Sequence, residues 1–151
     1  MLEVGDKAPE FSFKDAKGQT VKLKDLKGQK VVLFFYPKDL TPGCTAEACD
    51  LRDHYAVFKK KKMVLVGVSA DTEKLHDRFA EKHELPFPLI ADTEKKLIQA
   101  YGVWGPKVFM GKKFDGILRT TFVIDEQGKI EHVISKVKTK EHSQQIFDLL
   151  K

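Results

Sequence analysis

No asparagine occurs in the 151 residues, cysteine occurs twice and tryptophan once. The first absence removes every Asn-x-Ser/Thr glycosylation acceptor and is the direction in which heat-adapted proteins drift. Two cysteines are too few for the disulfide framework of a small secreted module. Long apolar runs are missing as well: the most continuous, Val31 to Pro37 and Met63 to Val68, fall far short of the roughly 20 residues of a membrane-spanning helix. The opening Met1-Leu-Glu-Val-Gly-Asp-Lys7 has neither the apolar stretch nor the cleavage site of a secretory signal, so a cytoplasmic location is expected. Neither G-x-G-x-x-G nor G-x-x-x-x-G-K-[ST] occurs, which disfavours nucleotide binding. No repeat or low-complexity tract interrupts the chain, and one domain covering 1–151 is expected.

What is present suits a globular domain: 42% hydrophobic and 32% charged residues, with ten glycines and six prolines set singly between periodic segments. A chain of this length can bury about 68–70% of its unfolded surface. Lys plus Arg is 27 against 22 for Asp plus Glu, a net charge of +5 spread along the sequence. The one dense basic run, Lys59 to Lys62, falls between a predicted helix and a predicted strand, where cations suit a helix C-terminus. Neither a nucleic-acid partner nor a membrane is expected.

The pattern along the chain is of mixed α/β type. Glu10 to Phe13 and Thr20 to Leu23 flank Asp15-Ala-Lys-Gly18 as an N-terminal β-hairpin. Lys30 to Tyr36 (KVVLFFY) and Met63 to Ser69 (MVLVGVS) lack polar alternation, the mark of strands buried on both faces. Between them, Ala48, Leu51, Tyr55 and Phe58 recur at spacings of three and four, predicting a helix over Thr45 to Phe58. Asp71 to His83 follows as a helix with Leu75 and Phe79 inward, then a short strand Phe87 to Ile90, a helix near Thr93 to Tyr101 and a Gly- and Lys-rich loop. Thr120 to Ile124 and Lys129 to Ile134 flank Asp125-Glu-Gln-Gly128 as a second hairpin, and a last helix, Lys140 to Leu150, is expected to start from a Thr139 cap. Parallel units followed by an antiparallel hairpin make a mixed central sheet with helices on both faces, the order of a thioredoxin-like fold. A flavodoxin-like domain would use the same elements, but no Gly-rich phosphate loop follows Tyr36.

Cys44 and Cys49 lie in Pro37-Lys-Asp-Leu-Thr-Pro-Gly-Cys-Thr-Ala-Glu-Ala-Cys49, directly after the first buried strand. Cys44 falls at a helix N-terminus, off the Ala48/Leu51/Tyr55 stripe, where unpaired backbone N–H groups and the helix dipole favour a thiolate. Two small core cysteines are the plainer reading, and zinc is a third, but a C-x4-C pair without a second Cys/His pair is an incomplete ligand set. No metal is expected. The five histidines, His54, His76, His83, His132 and His142, are scattered and read as surface residues rather than bases.

Ionisation alone does not make a fast reaction with peroxide, one of the oxidants open to an activated thiolate. For any thiol, moving the pKa from about 8.5 to about 6 raises the ionised fraction at pH 7 some 30-fold, or roughly 2 kcal/mol. Breaking an O–O bond also needs preorganised donors for the charge that develops on the departing oxygen. Thr41 can offer a hydroxyl, Gly43 and Cys44 their backbone N–H groups, and Arg119, one of three arginines among many lysines, a fork reaching thiolate and peroxide together. Glu47, one turn into the helix, is either a first-turn carboxylate or the holder of that guanidinium.

Pro37-x-x-x-Thr41-x-x-Cys44 matches the peroxiredoxin signature. With Cys49, Tyr36-Pro-Lys-Asp and Tyr101-Gly-Val-Trp-Gly, nearly the whole chain resembles the bacterioferritin comigratory protein, or peroxiredoxin Q, branch of that family. The resemblance implies that Cys44 is the peroxidatic cysteine, that Thr41 and Arg119 activate and orient, that Pro37 shields the pocket and that Cys49 resolves. It also implies a cycle through a Cys44 sulfenic acid and a Cys44–Cys49 disulfide, reduced by thioredoxin or a glutaredoxin-type dithiol, with hydrogen peroxide and organic hydroperoxides as substrates and no cofactor. An internal resolving cysteine requires no partner subunit, and a monomer is expected. Cα atoms five residues apart on an ideal helix are about 8.6 Å apart, beyond the roughly 7 Å limit for a disulfide, so the helix must unwind in each turnover. Two readings compete: a general thiol-disulfide oxidoreductase, which usually carries C-x-x-C, and a basic nucleic-acid-binding or redox-sensing adaptor, which rests only on the pI of about 9.1 and the lysine run.

Overall fold

The computed structural model describes residues 1–150. The chain opens with an antiparallel hairpin of β1 (Ser12–Lys14) and β2 (Thr20–Lys22). Asp15 makes its turn: one carboxylate oxygen accepts the backbone N–H groups of Lys17 and Gln19, both at 2.9 Å. There follow β3 (Lys30–Phe35), α1 (Pro42–Asp53), α2 (Tyr55–Lys60), β4 (Met63–Ser69), α3 (Glu73–His83), β5 (Leu89–Ala91) and α4 (Lys96–Ala100). Then come β6 (Trp104–Phe109), β7 (Lys112–Ile117), β8 (Thr120–Ile124), β9 (Ile130–Ile134) and α5 (His142–Leu149).

The main sheet has the order β5-β4-β3-β8-β9, with β3, β4 and β5 parallel and β8 and β9 antiparallel to their neighbours. This is the mixed, thioredoxin-like sheet that the sequence predicts. Its centre is β3, whose side chains alternate between two cores, as period-two geometry requires. Val31, Leu33 and Phe35 pack with Phe11, Ile98, Tyr101 and Phe122 on one face. Val32 and Phe34, with Tyr36 beyond the strand end, pack with Cys44, Ala48, Leu51, Phe58, Phe79 and Ile146 on the other. A strand with an apolar neighbour on both sides has no place for polar residues, and this explains the unbroken run.

Several elements depart from expectation. The helix predicted over Thr45 to Phe58 begins three residues earlier, because Pro42 suits the first helical position, where no N–H is needed and φ is already set. It breaks at His54, whose Nδ1 lies 2.8 Å from the Asp50 carbonyl and which leaves helical geometry (φ −107°, ψ 11°). In α3 the inward residues are His76 and Phe79, with Leu75 half-buried. The short strand spans Leu89–Ala91 rather than Phe87 to Ile90, since Pro88 has no N–H to give the ladder. The Gly- and Lys-rich loop is in fact the antiparallel hairpin β6–β7, turned by Met110 and Gly111 with φ of 52° and 80°. Thr139 does not cap the last helix: Lys138 to Glu141 form a turn, closed by the Glu141 N–H on the Lys138 carbonyl at 3.0 Å, and Glu141 occupies the cap position.

The loop after β3 is pinned at Asp39, which is buried. Its N–H donates to Asp71 at 2.7 Å, while its carboxylate accepts the Tyr36 hydroxyl at 2.6 Å and meets His76 Nδ1 at 2.6 Å. His76 Nε2 lies 3.0 Å from the Ile90 carbonyl. Both ring nitrogens therefore face acceptors, and only the imidazolium satisfies both. Burial alone would lower the His76 pKa, but the hydrogen bond and charge of Asp39 and the Ile90 carbonyl outweigh it and raise it above the ordinary value. A raised folded-state pKa contributes stability that is complete below about pH 6.5 and is lost as pH rises through the folded value. Thermal unfolding should therefore show wild type losing stability on the alkaline side relative to His76→Gln, with the gap between them narrowing. Parallel pH profiles for the two proteins would show that His76 is uncharged.

Candidate active site

The site is built where the pinned loop turns into α1. Leu40 takes a left-handed φ of 65°, a strained conformation for a non-glycine residue, and Thr41 then enters the helix in extended geometry as its N-cap. The first helical hydrogen bond runs from the Thr45 N–H to the Thr41 carbonyl at 2.8 Å. The N–H groups of Gly43 and Cys44 thus have no acceptor within the helix and carry the positive end of its dipole. Thr41 makes no side-chain cap; its hydroxyl donates to the Lys38 carbonyl at 2.8 Å. That proton is engaged in the reduced protein, and the oxygen remains an acceptor. Pro37 is half-buried at the head of the loop.

Cys44 lies in the first turn of α1, not beyond its tip, and is only 2% exposed. Counting 44, 48, 51 shows why: it shares the face of Ala48 and Leu51, contrary to the expectation that it lies off that stripe. The sulfur is not sealed in apolar packing, because Arg119, from the link between β7 and β8, donates from Nη2 to Sγ at 3.3 Å. The other arm, Nη1, donates to Glu47 Oε1 at 2.7 Å. Glu47 is 0% exposed and holds the guanidinium from behind, the second of the two roles open to it. Burial pushes its carboxyl up to about 7, against the lowering effect of the Arg119 charge.

Gly43 is needed for space rather than for backbone freedom. A Cβ there would stand 3.2 Å from Arg119 Nη2, so the bare Cα lets the guanidinium lie against the first helical turn. Lys107, on the unpredicted hairpin, donates to the Ile117 carbonyl at 2.8 Å and lies within electrostatic range of Arg119 and Cys44; burial, then Arg119, lowers its pKa. Cys49, in the next turn of α1, is a half-buried free thiol with Sγ 3.8 Å from His83 Nδ1.

Cys44, Gly43, Glu47 and Arg119 therefore converge, with Thr41 and Pro37 on the adjoining loop and Cys49 further along the same helix. Sequence reading missed His76, His142 and Lys107. The histidines carried a signal, since His76 precedes Phe79 by three and His142 precedes Ile146 by four, the spacings of one apolar helix face. Asp39, Asp71 and His76 are grouped closely enough to suggest metal ligands, but their hydrogen bonds to one another and to Tyr36 and Ser69 already occupy them.

The AhpC/TSA family model matches residues 4–133. Peroxiredoxin Bcp of Bacillus subtilis is 48% identical over 150 residues, covering 99% of this chain and 96% of that protein. Peroxiredoxin Bcp of Escherichia coli K12 is 47% identical with the same coverage. Among solved structures, a PrxQ variant of Xylella fastidiosa superposes with a TM-score of 0.89 at 29% identity, over 99% of this chain and 96% of that one. The bacterioferritin comigratory protein of Xanthomonas campestris, described for its alkyl peroxide reduction activity, gives 0.83 at 34% identity over 93% and 89%.

Gly43→Ala offers a test with opposed signs. Helix propensity favours the alanine by up to about 1 kcal/mol, while the new methyl displaces Arg119 from the sulfur. Thermal stability should hold or rise as the rate of Cys44 oxidation by peroxide falls on the order of tenfold; an unchanged rate would show that the guanidinium position is not critical.

Proposed function

The chain belongs to the AhpC/TSA family and is a thiol-dependent peroxidase of the Bcp/peroxiredoxin Q kind, and from that premise we propose that Cys44 is its attacking sulfur and Cys49 its resolving one. The observation that carries this reading is the contact of Arg119 Nη2 with Cys44 Sγ at 3.3 Å, in a helical turn whose N–H groups are free of helical acceptors. A thiolate there has a cation and a dipole to favour it.

The Cys44 thiolate attacks one oxygen of a hydroperoxide. An S–O bond forms, the O–O bond breaks, and the departing alkoxide or hydroxide takes a proton to leave as alcohol or water. Arg119 and the Gly43 and Cys44 N–H groups are positioned to hold the oxygen on which charge develops, as electrostatic catalysis of such a step requires. Thr41 accepts from or donates to the peroxide once its hydroxyl turns from Lys38, and Pro37 limits water at the loop side. Cys49 thiolate then displaces hydroxide from the Cys44 sulfenic acid, giving the disulfide and, with a proton, water. A thioredoxin or glutaredoxin-type dithiol restores both thiols by exchange. Hydrogen peroxide and organic hydroperoxides are the substrate class; the alkyl peroxide reduction of the Xanthomonas relative supports the latter.

Both thiols lie on one unbroken helix, so α1 must unwind before they bond, because the ideal separation of about 8.6 Å exceeds disulfide reach. The reading extends to a monomer working in the cytoplasm: the proposed resolving sulfur comes from the same chain, and two cysteines are too few for the disulfide framework of a small secreted module. No helix among the described residues is long and apolar enough to cross a membrane.

Cys44→Ser should abolish peroxide consumption. Cys49→Ser should keep the first oxidation, measured by stopped flow, but lose reductant-supported cycling and leave Cys44 open to sulfinic acid, read by mass spectrometry. A disulfide between these residues in a protein that retains the amide protection of α1 would contradict the unwinding step. Arg119→Lys keeps the charge but not the fork, and its first-turnover rate should fall on the order of 10²-fold; equal rates would refute the part given to Arg119.

A further inference from the structure

Among the described residues, one buried side-chain polar atom has no hydrogen-bond partner: Oε2 of Glu47. Its sister oxygen holds Arg119. On the orphaned side stands His142 of α5, itself 0% exposed, with Nε2 at 3.6 Å.

The protons around His142 can be counted. Gln145 Oε1 accepts the Lys138 N–H at 2.8 Å and its Nε2 donates to the Lys136 carbonyl at 3.0 Å, so two backbone groups set the orientation of that amide. The same Oε1 lies 3.0 Å from His142 Nδ1, which must therefore carry a hydrogen. Neutral His142 then has its lone pair on Nε2, and the Thr121 hydroxyl at 2.7 Å donates to it. Nothing is left to donate to Glu47 Oε2. A carboxylate in that state keeps a bare charged oxygen in the core, which is costly. One more proton removes the uncompensated charge, either on Oε2 as a carboxylic acid or on Nε2 as an imidazolium facing the carboxylate at 3.6 Å.

We propose that Glu47 and His142 hold one proton between them, and that His142 is a positioning residue that sets, through Glu47, how much of the Arg119 charge is given to the reacting sulfur. With Glu47 neutral, the guanidinium faces Cys44 and the peroxide alone. When the shared proton leaves, the anionic carboxylate takes a larger part of that charge and the sulfur a smaller one. The inference rests on Cys44 being the attacking sulfur.

The other charges near the pair are few. Asp50, one turn along α1, accepts the Ser143 N–H at 2.7 Å and raises both pKa values, Arg119 lowers both, and Lys107 stands on the sulfur side. Burial works on the two partners in opposite senses, raising Glu47 and lowering His142, so each is pushed toward its neutral form.

Two measurements test this. In reduced wild-type protein, without peroxide, carboxyl and imidazole NMR signals of Glu47 and His142 should report one common titration midpoint; a Glu47 signal that stays ionised across the range from pH 5 to 9 overturns the proposal (pH limits roughly spanning the ordinary His range). The pH profile of first-turnover oxidation should carry an inflection near the Glu47 midpoint, about 7, that Glu47→Gln lacks. His142→Gln, whose amide can donate to Oε2, should move the inflection down by about one pH unit, and His142→Leu, which leaves Oε2 facing hydrocarbon, should move it up by about as much. A purely structural role would slow both variants without displacing their inflections in opposite directions, and unshifted inflections refute the proposal. The NMR titration needs neither variant to fold, and activity persisting in Cys44→Ser would instead sink the reading of the sulfur while leaving the titration result intact.

Discussion

The guanidinium of Arg119 joins two parts of the chain that the fold brings together from far apart in sequence. One arm reaches the sulfur of Cys44 and the other the carboxyl of Glu47 buried behind it, so the fork ties the link before β8 to the first two turns of α1. A planar, permanently charged fork makes both bonds in one geometry, and an ammonium does not. The fork requires neighbours that yield space and charge. Gly43 leaves room beside Nη2, and Glu47 fixes the far arm. Asp39, held by Tyr36, His76 and Asp71, pins the loop from which the helix starts.

Much of this was legible because it follows from local rules. The two unbroken apolar runs are β3 and β4, since only a strand covered on both faces tolerates them. Both Asp-led turns carry hairpins: Asp125 repeats the geometry of Asp15, accepting the N–H groups of Gln127 and Lys129 at 2.9 Å. Cys44, Thr41, Gly43 and Arg119 stand out in the sequence as a candidate nucleophile with candidate donors. Their meeting was not legible in the spacing, because 75 residues separate Cys44 from Arg119. The hairpin β6–β7 was hidden by composition: its lysines and glycines have low strand propensity, and it is held by cross-strand pairing over an exposed ladder. Histidines were misread because residue type was weighed above position. An imidazole on the apolar stripe of a helix is buried, and burial demands that both nitrogens find partners. For His76 those partners are acceptors on both sides; for His142 they are one acceptor and one hydroxyl.

In the proposed cycle the helix bearing the thiols has two incompatible tasks. Intact, it aims N–H groups and a dipole at Cys44; unwound, it lets Cys49 reach that sulfur. The buried residues of α1 are Cys44, Glu47, Ala48 and Leu51. Up to Cys49 they are small or polar, and Leu51, the first large apolar anchor, lies beyond the stretch that must open. Releasing Cys44 and Ala48 forfeits little hydrocarbon burial at about 0.8 kcal/mol per methylene-sized group, and Gly43 adds little helical propensity to the first turn.

What keeps that turn closed is then chiefly electrostatic. Glu47 is the buried group that binds this stretch to the sheet side, through Arg119, and the same arginine binds the sulfur. In the proposed cycle, oxidation turns the sulfur into a sulfenic acid and so weakens one of the two bonds, the charge-assisted one to the sulfur, at the moment when the helix has to let go. The remaining Glu47–Arg119 bond depends on the charge of a carboxyl whose ionisation its environment leaves balanced near neutrality. The donor set to which the proposed mechanism assigns the attack on peroxide is thus also the clasp of the helix, and in that mechanism the attack weakens it, so activation and release follow from one ion cluster.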